Sequence, residues 1–197
     1  MRAYLIGIWL LLPIAGAAYH FGPGQRALVL DDVTALLARA DDAARNEIWD
    51  EAFERYNEAL AKLPPEETAT ARRIRLERAK VQMMMGQLPQ AHDELEQLVE
   101  ELAQAEPVDA RLLADARETL GNARFYLTWL MRLEGVPRDV WEPEIEAARE
   151  LYRFLAEAAA REGDTDAARR HQESLEAAIR LARMELKELQ GLPLPNQ

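Results

Sequence analysis

The chain has 197 residues, of which 49% are hydrophobic and 30% charged, with no cysteine and a formal net charge of −11. That balance excludes a disordered chain and leaves room for a sizeable core; the missing thiols exclude disulfides, thiolate nucleophiles and Cys-ligated zinc. Only Arg2 and Arg26 are charged before Asp31, so residues 31–197 hold 22 basic and 35 acidic side chains, a net of −13 that repels nucleic-acid phosphates and anionic lipid headgroups alike.

Residues 1–26 read as a leader. After Arg2, the run from Ala3 to Tyr19 is apolar and closes on small residues, with Ala15 and Ala17 at the spacing of a cleavage site. It is either a secretory signal peptide or a retained membrane tether through residues 3–19, with a buried N-terminal helix as the blander reading. The basic start places the rest of the chain on the extracytoplasmic side of the envelope. Gly22-Pro23-Gly24 is a linker, and it lacks the preceding strand and following Lys-Ser/Thr of a phosphate loop.

From Ala27 the apolar residues fall at helical spacing. Leu28, Val33, Leu36, Leu37 and Ala40 define a first helix to Arg45, and a joint at Asn46 leads into a second. That second stretch, Ile48 to Pro64, carries Ala52, Tyr56 and Ala59, with Trp49 expected in the core. Pro64-Pro65 stops it. Residues 66–85 form the next helix, ended by Gly86; Leu88-Pro89 begins its partner, carrying Ala91, Leu95 and Leu98. Asp109 opens a longer helix over 109–134 that contains Leu120-Gly121. Gly135 to Pro143 looks too broken for a helix and reads as a turn pinned by Trp141. A helix over 144–162 offers two stripes, Ala147-Leu151-Phe154 and Tyr152-Leu155-Ala156-Ala159. The last, 166–189, shows Ala168, Leu175, Ile179, Ala182 and Leu186 on one face, as a capping helix would, and residues 191–197 are a Pro-rich tail.

This pattern resembles the tetratricopeptide-repeat family: a small residue, a large one four later and a closing Pro in the second helix, as in Ala52, Tyr56 and Pro64. Ala40, Ala79, Gly121 and Ala156 stand where the family has its small first-helix residue, at intervals of 39, 42 and 35 residues. Arg75 and Arg78 depart from it, occupying positions that are usually large and apolar. The resemblance covers residues 28–190 and implies an all-α, right-handed solenoid of antiparallel helix pairs, about seven helices after the N-terminal hydrophobic one, forming a repeat domain over 27–190 with a concave face.

An inventory of reactive groups points away from catalysis. His20, His92 and His171 read as isolated, Ser174 is the only serine, and acid pairs such as Glu100-Glu101 read as solvated surface. No metal or cofactor is expected, and no enzyme. Met83-Met84-Met85 reads as core packing. Following the family's pattern, Arg73, Leu76, Lys80 and Met84, then Asn122, Phe125 and Tyr126, and finally Arg153 would line the groove. Such a lining suits an extended acidic or C-terminal peptide, unless Arg73 and Lys80 pair with Glu77 and nearby acids instead. Of the two-carboxylate clamp of chaperone-binding relatives, only Asn122 is present. The expected function is a protein–protein interaction scaffold of the cell envelope; the alternative is a self-assembly module, and a third reading is a small-ligand or lipid carrier.

Overall fold

Helix formers dominate the chain, and the computed structural model describes residues 25–191 as helices joined by short turns. Eight are present among the described residues: α1 (Gln25–Arg45), α2 (Trp49–Lys62), α3 (Thr68–Met84), α4 (Leu88–Ala103), α5 (Ala110–Leu133), α6 (Arg138–Glu162), α7 (Thr165–Arg183) and α8 (Leu186–Gln190). The leader, the Gly-Pro-Gly linker and all but Gly191 of the tail lie outside those residues. Among the described residues, no helix is long and apolar enough to cross a membrane.

Local chemistry sets the ends. The Asp109 and Asp164 side chains accept hydrogen bonds from the N–H groups of Leu112 and Ala167 at 3.1 and 2.9 Å, satisfying donors left free at the starts of α5 and α7. Gly86 and Gly163 close α3 and α6 at φ +75° and +80°, a left-handed conformation that any side chain would strain. Pro89 sits in the first turn of α4, where its missing N–H costs nothing.

The chain divides within α3 into two compact units, one through Ile74 and one from Arg75. In the first, α1 packs on α2 through Val33, Leu36, Ala40 and Ala43 against Ala52, Tyr56 and Ala59. The Tyr56 hydroxyl donates to Asp41 at 2.6 Å, and Arg26 reaches Glu67 at 2.6 Å. Trp49 is only half-buried, because the stripe that faces α1 starts at Ala52.

The second unit has two linked cores. Leu76 and Ala79 of α3 pack with Leu95, Leu98 and Leu102 of α4 and with Leu113, Ala116, Leu120 and Ala123 of α5. Further along, Trp129 of α5, Trp141, Ile145, Ala148 and Tyr152 of α6, Ala178 and Leu181 of α7, and Leu189 of α8 form the other.

Four expectations change here. The segment from Arg138 is helical, so α6 begins six residues before Glu144 and holds Pro143 inside it; burial of Trp141 on that first turn and a half organises the segment despite the proline. Of the two stripes read on α6, the second supplies the buried face through Tyr152, Leu155 and Ala159, joined by Ala148, whereas in the first Phe154 stays 45% exposed beneath the Arg117 guanidinium, 4.6 Å away. The final helix breaks at Met184, whose ψ of 142° is extended; Leu186 is left exposed while α8 turns Leu189 inward. Met83 packs against the core but Met84 and Met85 are only half-buried.

Candidate functional site

Of the groove residues named from the sequence, one is fully buried. Leu76 is 1% exposed, inside the core with Ala79, so it cannot face a ligand. Arg73 is exposed on the first unit, whereas the other seven belong to the second. Lys80 Nζ meets Glu77 at 2.9 Å and Asp115 at 3.2 Å. Burial opposes its charge, but the hydrogen bonds and charges of these two carboxylates outweigh burial and raise its pKa. Asn122 accepts the Tyr152 hydroxyl at 2.7 Å and is spent on packing. Arg153 is exposed and pairs with Glu150. Phe125 and Tyr126 remain half-buried neighbours, edge to face at 5.6 Å, and Met84 is half-buried on α3.

Arg75 and Arg78 do not hold their heads in water. Arg75 Nε is 3.2 Å from Glu94 and its Nη1 2.6 Å from Glu101, while Arg78 reaches Glu94 at 2.6 Å. Their stems lie along the α3–α4 seam, and the acids of α4 neutralise them. The basic run Arg72–Lys80 therefore contributes much less free positive charge than its sequence suggests.

His92 is not isolated. Buried on α4, it has Nδ1 3.3 Å from Asp93 and Nε2 3.7 Å from Glu96 and 3.2 Å from Glu144 of α6. Arg124 of α5 pairs with Glu96 and holds Nε 3.5 Å from Glu144. Three helices thus converge on one partly buried charge cluster. Its sequence signal was the i, i+4 pair His92–Glu96; the decisive Glu144 lay too far along the chain to be read. No group of His, Asp and Glu with a metal-binding arrangement occurs among the described residues.

Gly121 leaves room for a ring rather than a backbone. A Cβ built there would lie 3.0 Å from Tyr152 Cε1. Burial pushes the Tyr152 phenol well above its ordinary range, with Tyr126 and Glu118 acting in the same sense.

A shallow cavity of about 430 Å³ at the end of α7 is lined by Glu176, Ile179, Arg180, Arg183, Met184 and Glu188. Nearby, the Arg132 guanidinium donates to the carbonyls of Leu181 and Met184, capping α7, and stacks 4.8 Å over Trp141. Burial lowers the pKa of Arg132, with the charge of Glu185 opposing that shift and the charge of Arg138 adding to it.

Compared with known proteins, the chain matches no family model and no curated protein.

Proposed function

We propose that this chain is a non-enzymatic protein–protein interaction scaffold, built as a solenoid of helix pairs of the tetratricopeptide kind. One observation carries the reading. The second helix of three successive pairs buries the same trio: Ala52-Tyr56-Ala59, Ala91-Leu95-Leu98 and Ala148-Tyr152-Leu155, none more than 4% exposed. Two of these trios add the same bond. Tyr56 and Tyr152 each donate to the residue that follows a small one on the preceding helix, Asp41 after Ala40 and Asn122 after Gly121. Helices that pack repeatedly on their chain neighbours leave long outward faces for a partner and need no catalytic cleft.

The leader supports a place at the extracytoplasmic side of the envelope. Affinity capture with the full chain, followed by light scattering, tests the role. A stoichiometric protein partner and a concentration-independent monomer are expected; a chain that captures only itself and grows with concentration would make it a self-assembly module.

A further inference from the structure

The described part of the second unit ends on its shortest helix. α8 spans five residues and buries one of them, Leu189, at 1% exposure, while Leu186, Lys187, Glu188 and Gln190 stay exposed. Leu189 enters the core built from Trp129 of α5, Trp141 and Ile145 of α6 and Leu181 of α7, so one side chain completes the apolar layer of three much longer helices. A helix of five residues does not persist alone in water. Its capping box, in which Glu185 and Glu188 each accept a backbone N–H, closes the turn on itself and ties it to no other helix. Leu189 and the charge of Glu185 beside Arg132 are what draw α8 onto α5.

The joint before α8 is stiff on one side and open on the other. Arg132 donates to the carbonyls of Leu181 and Met184 and so secures the end of α7. Met184 and Glu185 then run extended, with ψ of 142° and 150°, outside either helix.

We propose that α8 is a strap that swings out about Met184–Glu185 while α5, α6 and α7 stay folded. In doing so it hides or presents the apolar slot that Leu189 fills among Trp129, Trp141 and Leu181. Release gives up the burial of one leucine, whereas unfolding the layer beneath gives up a whole core, so the two events are separable. The device follows from α5 to α8 alone and stands whether or not a protein partner is found.

The test is amide hydrogen exchange on the unaltered full chain labelled with ¹⁵N. The Leu189 N–H, bonded to the Glu185 carbonyl at 3.0 Å, should exchange about 10–100-fold more slowly than in an unfolded peptide, the factor that burying one leucine supplies. Ala178, 0% exposed in α7, should be slowed by more than about 1,000-fold, because it opens only with the whole fold. Dilute urea should speed Ala178 and leave Leu189 unchanged. Leu189→Ser, which holds the strap out, should bind the neutral apolar dye Nile red and keep the helical circular dichroism of α1–α7; Leu186→Ser, at an exposed position of α8, should not bind the dye. Equal exchange at Leu189 and Ala178, no slowing at Leu189, loss of helix beyond α8 in Leu189→Ser, or a folded Leu189→Ser that ignores the dye each overturns the proposal.

Discussion

Replacing Gly121 by Ala sets two effects of opposite sign against each other. In a helix interior the change should stabilise by about 1 kcal/mol, since glycine gives up more backbone freedom on folding. At this position the new methyl would meet the Tyr152 ring at 3.0 Å (Cε1) and 3.2 Å (Cζ). The ring cannot swing aside freely, because it is 2% exposed and its hydroxyl is tied to Asn122. Overpacking of this kind costs about 1–3 kcal/mol, and about 1 kcal/mol more if the hydroxyl bond breaks. Gly121→Ala should therefore destabilise by about 1–2 kcal/mol in net terms. In a Tyr152→Leu background, where the ring is gone, the same substitution should become stabilising by about 1 kcal/mol. Urea unfolding followed by tryptophan fluorescence reads this directly, as Trp129 and Trp141 share the core with Tyr152. Stabilisation by Gly121→Ala in both backgrounds would refute the idea that this glycine exists to seat the ring.

Four further outcomes are expected. Because its folded pKa is raised, Tyr152 contributes stability that is fully present below the free phenol value of about 10 and is lost as pH rises past it; Tyr152→Phe should flatten the fall above about pH 10 in melting curves. Glu144→Leu should cost about 1–3 kcal/mol by leaving His92 and Arg124 with Glu96 as their one shared carboxylate, and an unchanged denaturation midpoint would remove the structural role of Glu144 in the cluster. Arg132→Met should uncap α7 and speed amide exchange at Met184–Leu189, with little change in α1 or α2. Pro143→Ala restores a helix donor inside α6 and should raise stability by about 2 kcal/mol, the propensity gain less the unfolded-chain entropy it returns; a loss would show that α6 depends on the proline's fixed geometry.

Two of the misread segments share a cause. Gly135 to Pro143 carries strong local breakers, so pattern reading ends the helix there, but Trp141 and Ile145 gain enough burial against Trp129 and Leu181 to extend α6 through the proline. The last helix carries no breaker at Met184, yet it bends there, because Arg132 from α5 takes up the freed carbonyls and Leu189 finds the core. Neither partner is close in sequence to the residue it redirects.

Local order determined the all-helical character, most helix ends and the pairs Ala52-Tyr56, Ala91-Leu95 and the Gly86 and Gly163 stops, since periodicity and capping act within a few residues. Which arginines keep a free charge was decided only in three dimensions. Arg75, Arg78 and Arg124 find their acids on neighbouring helices, His92 meets Glu144 across 52 positions, and Arg180 and Arg183 find none among the described residues. A side chain's type is written in the chain, but its electrostatic partner depends on the packing of helices whose contacts span tens of residues.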